Sequence, residues 1–182
     1  MGRLVVNRGA ISYLVWIAFG LSIFPVLHDW DAKLWPNEIE YARRVEQRNE
    51  AMQLHEMAIG LKSPERHPFL APWWLSPAIA YWSGQAAVAG SSHESLAGIA
   101  DCAGFFQTND WQKAREILEN HKVYWVVAYD SDRLTTNSEA ILGIPASVHS
   151  AGQVLDRMPS QAPAFFVLSA QIGSFKVFRV RL

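Results

Sequence analysis

The sequence predicts an α/β fold: an N-terminal transmembrane helix, then a three-layer α/β domain with a mixed sheet and a C-terminal β-hairpin. Three observations carry this. Gly9–Leu27 is an apolar run without a charged residue. VYWVVAY (123–129) is β-branched and aromatic and lies between helix-like stretches. AFFVLSA (164–170) and FKVFRVRL (175–182) flank the tetrapeptide QIGS at the C-terminus.

Composition narrows the function classes. The chain has 182 residues, of which 50% are hydrophobic and 18% charged, against a usual charged share of about 25%. The excess apolar surface must enter a core, a partner or a bilayer. With a net charge of −1 there is no basic field to hold phosphates, so nucleic-acid binding is not expected. Cys102 is the single cysteine, which excludes an internal disulfide and a thiolate metal cluster; its apolar neighbours predict a buried, inert thiol. No metal site and no cofactor is expected in this chain. Eight tryptophans suit surfaces with one wet and one apolar edge, as at membranes and on sugars.

GAISYLVWIAFGLSIFPVL (9–27) spans nineteen residues, roughly 28 Å as a helix, close to the ~30 Å of a hydrocarbon layer. Arg3 and Arg8 precede it, while Asp29 and Asp31 follow it. The positive-inside bias puts the N-terminus in the cytoplasm and the rest outside. Trp30 and Trp35 fit an interfacial belt. A signal peptide needs a shorter apolar core and a small-residue cleavage site, which PVLHDWDAKLWP lacks. A buried core helix of this length is the other alternative. The expected organisation is a membrane anchor over residues 1–30, a connecting helix over 31–62, and an extracytoplasmic α/β domain over 63–182.

The connecting helix opens at Pro36-Asn37-Glu38 and ends by Ser63-Pro64. Its middle is polar, and Leu54, Met57, Ala58 and Leu61 form an apolar stripe expected to pack on the domain. AIAYWSG (78–84) reads as helix-like or extended, and QAAVAG (85–90) as a short buried strand. Thr108 or Asn109 is expected to cap a helix reaching about His121 with Ala114, Ile117 and Leu118 inward. VYWVVAY, apolar on both faces, is the expected central strand. Asp130-Ser131-Asp132 reads as a loop, followed by short helical pieces near Ser138–Leu142 and Ser150–Met158. In FKVFRVRL, Phe175, Val177, Phe178 or Val180 are expected inward and Lys176, Arg179 and Arg181 outward.

PWWLSP (72–77), IAYWSGQAAVAG (79–90), ADCAGFF (100–106), KAREIL (113–118) and VYWVVAYD (123–130) follow in an order and spacing that resembles the extracytoplasmic domain of oligosaccharyltransferase catalytic subunits. These are membrane glycosyltransferases of the C-type fold that use polyprenyl-linked sugars. The likeness covers about seventy-five residues of this chain. It implies that Trp73 and Trp74 form a surface wall. Where the family has Asp-Tyr-Gly after the tryptophan pair, this chain has Leu75-Ser76-Pro77. That aspartate helps the family bind the acceptor's hydroxyl residue, and leucine accepts no hydrogen bond, so protein N-glycosylation is not implied. Ser76 stays with Trp73 and Trp74 among the candidate acceptor-binding residues. The family's catalytic acids and metal ligands lie between N-terminal membrane helices, and this chain has one candidate span, so catalysis by this chain alone is not expected.

GSSHES (90–95) is the densest polar cluster. Ser91, Ser92, His93 and Glu94 suit a sugar or phosphate head group, or equally a helix-capping loop. The sequence lacks G-x-S-x-G and H-E-x-x-H at this point. Asp130, at the end of the clearest strand, reads equally as a functional group and as a cap. His67 and His149 read as solvated, and Tyr81 and Trp82 join the tryptophan pair in an aromatic cluster. Arg43, Arg44 and Arg48 read as a solvated helix face, with lipid phosphate as an alternative.

The reading expected from these observations is the soluble tail domain of a polyprenyl-phosphate-sugar-dependent membrane glycosyltransferase, capping its catalytic membrane half and helping to bind acceptor. Its expected place is the cell (inner) membrane, with a single span and a periplasmic C-terminal domain. Expected partners are membrane lipid, the catalytic membrane portion and, indirectly, the polyprenyl-linked sugar or acceptor. The alternative is an independent anchored binding or assembly module of the cell envelope. An anchored hydrolase using Ser92 and His93 ranks last.

Overall fold

A computed structural model describes residues 8–90 and 95–182, with the side chains of 8–11, 26–29 and 31–32 outside the description. The chain divides into two compact units, Met1–Arg48 and Asn49–Leu182.

In the first unit, α1 runs from Arg8 to Leu34 and contains Pro25. Its described apolar side chains, among them Leu14, Trp16, Phe19, Leu21 and Phe24, are exposed. Among the described residues no helix is long and apolar enough to cross a membrane; within Gly9–Leu27, the described side chains run only from Ser12 to Pro25. Trp35–Asn37 turns the chain into α2 (Glu38–Gly60). Asn37 makes the cap: its Oδ1 accepts from the Glu40 N–H at 2.8 Å, and Glu38 and Glu40 complement the positive helix end.

The second unit holds a four-stranded mixed sheet of order β1-β2-β4-β3. β1 is Phe69–Leu70 and β2 is Trp125–Ala128; they run parallel with Phe69 opposite Trp125. β4 (Phe175–Val180) lies antiparallel to β2, with Val177 opposite Val127. β3 (Phe166–Ile172) completes the hairpin with β4, and a bulge falls between Leu168 and Ala170. Gly173 takes a φ of 57° in the hairpin turn, and a Cβ there would collide with the Gln53 side-chain amide.

Helices cover both sheet faces. On one side lie α4 (Leu96–Gln107), α5 (Trp111–Asn120), α6 (Ser131–Leu142) and α7 (Ala151–Arg157). They bury Phe105, Phe106, Leu118, Leu134 and Leu155 against Val126, Ala128, Phe178 and Val180. On the other side, Leu54, Met57, Ala58 and Leu61 from the α2 region join Ile79 of α3 (Ser76–Ser83) over Phe69, Val127, Tyr129, Phe175 and Val177. The stripe expected from helical spacing is buried as expected, and β2 is the apolar-on-both-faces central strand.

Several expectations need correction. β2 has four residues rather than seven, because its neighbour β1 has only two and Asp130 leaves the extended region with a φ of 42°. QAAVAG (85–90) forms no strand: Ala87 makes one isolated parallel bridge to Phe69. AIAYWSG belongs to a helix, started by Pro77 in its first turn and closed by Gly84 with φ 70°. Asp110 caps α5 in place of Thr108 or Asn109, accepting from the Gln112 N–H at 2.9 Å. Asp130-Ser131-Asp132 is the start of α6, which runs unbroken to Leu142.

FKVFRVRL does not divide simply into inward and outward residues. Phe175 and Val177 enter one core while Phe178 and Val180 enter the other. Lys176 is not outward: its side chain is 14% exposed and its Nζ pairs with Asp156 Oδ1 at 3.0 Å.

Candidate functional site

Parallel β1 and β2 end at the same edge of the sheet. The residues that follow them, Trp73-Trp74 and Tyr129-Asp130, are thereby delivered to one end of the domain, where open α/β sheets place ligands.

The tryptophan pair sits on a turn fastened by the Leu75 and Ser76 N–H groups, which donate to Pro72 O at 2.9 and 3.1 Å. The two indoles meet edge to face with centroids 6.0 Å apart. Both are half-buried, and Trp74 packs against both cores. Among the described residues neither indole N–H has a hydrogen-bond acceptor, although both nitrogens are buried. Ser76 lies behind this wall, fully buried, with its hydroxyl donating to Pro72 O at 3.2 Å.

Asp130 is the cap of α6. Its Oδ1 accepts from the Arg133 N–H at 3.0 Å, and its left-handed backbone is the type that aspartate tolerates better than most side chains. One helical turn on, the exposed Arg133 guanidinium lies over the Trp74 ring, 5.1 Å from its centroid. The structure therefore brings Trp73, Trp74 and Asp130 together through α6, and Arg133 is the residue that sequence reasoning missed. The sequence signal was available: a capping aspartate three residues before an arginine sets that arginine one turn above the cap.

Tyr129 closes the floor, stacked on Phe175 with centroids 4.5 Å apart. Burial raises its phenol well above the ordinary 10.0, and the hydrogen bond and charge of Glu50 raise it further. It stays a neutral donor throughout the physiological range. The start of α6 is held by Asp156 of α7, whose Oδ2 accepts from the Ser131 N–H at 3.0 Å while Lys176 holds Oδ1. Burial alone would raise this carboxyl, but the Lys176 ammonium and the Ser131 N–H outweigh it and hold it below 3.8. This ion pair fixes α6, and with it Arg133, against the sheet.

Ser91, Ser92, His93 and Glu94 lie outside the described residues. At the near end of that loop, Ser95 Oγ accepts from the Gly90 N–H at 3.0 Å and Ser95 precedes α4. Cys102 is buried, and burial, followed by the charge of Asp101, pushes its thiol up to about 12; it is inert, as its apolar neighbours predict. His67 is not simply solvated: its ring stacks on Tyr124 with centroids 4.0 Å apart. Among the described residues no group of His, Cys, Asp and Glu could hold a metal ion.

An aromatic wall edged by one cation can hold the apolar face of a sugar ring, or a planar or anionic acceptor group. The groups described here supply no activated nucleophile.

The second unit's architecture has known counterparts. A crystal structure of the C-terminal globular domain of an oligosaccharyltransferase from Archaeoglobus fulgidus superimposes with a TM-score of 0.59 at 20% identity, over 73% of this chain and 97% of that one. Another structure of such a domain from the same organism gives 0.54 at 21% identity, over 72% and 94%. No protein-family model and no curated protein matches the sequence. The likeness is one of fold: this chain carries an oligosaccharyltransferase-like C-terminal globular domain.

Proposed function

We propose that the chain is the extracytoplasmic tail domain of a polyprenyl-phosphate-sugar-dependent membrane glycosyltransferase, anchored by Gly9–Leu27 as a single span. It caps the catalytic membrane half and helps to hold the acceptor, while the bond-making residues belong to that membrane half. The observation that carries the reading is the fold likeness to oligosaccharyltransferase C-terminal domains over 97% of the neighbour's length. The Trp73–Trp74 turn with Arg133 on its face supports acceptor contact, since indole faces and a cation suit a sugar or an acidic group. Leu75 in place of an aspartate argues for an acceptor other than an asparagine sequon.

Arg133 gives the cleanest test because it is exposed and its removal leaves the core intact. In membranes that contain the full chain and its catalytic partner, Arg133→Ala should raise the acceptor KM about tenfold, the loss of roughly one exposed cation–π or charged contact. The KM for the polyprenyl-linked sugar should not move. Sugar transfer that is indifferent to both Arg133→Ala and removal of the whole chain would favour the independent envelope module instead.

A further inference from the structure

Within the first unit, the end of α1 and the start of α2 enclose a pocket of about 360 Å³ lined by Lys33, Leu34, Pro36, Tyr41, Arg44, Val45 and Arg48. Tyr41, Arg44, Val45 and Arg48 recur at the spacing of one helix face. Three of the seven lining side chains are cations and none is acidic, although Glu38, Glu40 and Glu46 stand on the same stretch of chain. Helix periodicity thus sorts the charges. Arg44 is held in place by donating from Nη1 to the Lys33 carbonyl at 2.8 Å, so its guanidinium is organised before any ligand arrives.

We propose that this pocket binds the phosphate of an anionic phospholipid headgroup. Arg44 and Arg48 offer forked donors that match phosphate oxygens, Lys33 adds a point charge, and the Tyr41 hydroxyl can donate to a phosphate or glycerol oxygen. Leu34, Pro36 and Val45 supply an apolar side for the glycerol and the first acyl carbons. Trp30 and Trp35, both exposed on either side of Lys33 and Leu34, suit the headgroup layer. The inference rests on the reading of Gly9–Leu27 as a membrane span, which would set the pocket at headgroup level. Bound there, a lipid would fix the angle at which the chain leaves the bilayer.

The full-length chain is reconstituted into vesicles of phosphatidylcholine alone or of phosphatidylcholine and phosphatidylglycerol in equal parts, then extracted gently and weighed by native mass spectrometry. The expected result is one phosphatidylglycerol retained per chain from the mixed vesicles, in preference to phosphatidylcholine. Arg44→Gln with Arg48→Gln should weaken that preference roughly thirtyfold, about fivefold for each cation at the surface and slightly more for the pair. Arg43→Gln with Lys62→Gln removes the same charge outside the pocket and should leave the preference in place. Equal loss in both double variants, or no preference in the wild-type chain, overturns the proposal. So does inorganic phosphate at millimolar concentration displacing the lipid completely, which would assign the pocket to a soluble anion. An alkaline wash of the phosphatidylcholine vesicles tests the span separately: a chain that washes off refutes the anchor, whereas a chain that stays without lipid preference refutes only the pocket.

Discussion

Cys102 and Lys176 show how one side chain's surroundings set its chemistry. The Cys102 thiol goes from an ordinary 9.0 to about 12 on folding, so the folded chain holds its proton where the unfolded chain releases it. Stability from this group is complete below pH 9.0 and falls as pH rises toward about 12. Tyr129, raised from 10.0, adds to the same decline. Cys102→Ala should flatten part of the alkaline fall in urea-unfolding free energy, and a thiol reagent at neutral pH should label the native protein only at the rate of unfolding. Asp156 works in the opposite direction: lowered from 3.8, it stabilises above that value and its contribution is lost as pH falls through the folded value. Lys176→Met would leave a carboxylate that is 16% exposed without its cation, at a cost of about 2 kcal/mol. Adding Asp156→Leu should recover only part of this, because the Ser131 N–H then loses its acceptor. Denaturant midpoints of the two variants check both statements.

At the scale of an element, α4 holds two glycines with opposite demands. A Cβ on Gly98 would strike the Val88 carbonyl, because the bridge segment around Ala87 runs directly against the helix. A Cβ on Gly104 would meet nothing nearer than Ile117 Cδ1 at 4.0 Å. Gly98→Ala should therefore destabilise by about 2–3 kcal/mol, and Gly104→Ala should stabilise by roughly 0.5–1 kcal/mol through helix propensity. Calorimetric melting of the two variants should move in opposite directions. A clash of that kind is not readable from LAGIADCAGFFQ, where both glycines look alike. The same holds for α6: its inward residues Ser131, Leu134 and Ser138 include a single apolar side chain, so hydrophobic periodicity leaves its first half invisible. The helix forms because Asp130 caps it and Asp156 holds its first N–H.

Across the whole molecule, the boundary between the compact units falls at Arg48–Asn49, inside α2. The residues of α2 that complete the second core, Leu54, Met57 and Ala58, all lie after it. A fragment covering 49–182 should fold as one cooperative unit, whereas 63–182 should not, since it lacks Leu54, Met57, Ala58 and Leu61 over one sheet face. Dye binding to exposed apolar surface and the sharpness of thermal unfolding distinguish the two fragments. If 63–182 proved equally cooperative, the α2 stripe would not be part of the core as drawn here.

Residue order alone determined the α/β class, the buried stripe Leu54–Leu61, the two-faced central strand and the terminal hairpin. Each follows from local periodicity, and every turn of helix or pair of strand residues repeats that signal. The ordered aromatic segments also pointed to the oligosaccharyltransferase-like fold that the superposition bears out. Only tertiary structure decided that β1 is too short to keep β2 extended beyond four residues, that Lys176 turns in to Asp156, and that Arg133 reaches Trp74. Those outcomes depend on which segments become neighbours, and a side chain's partner sixty residues away leaves no periodic trace in the chain that carries it.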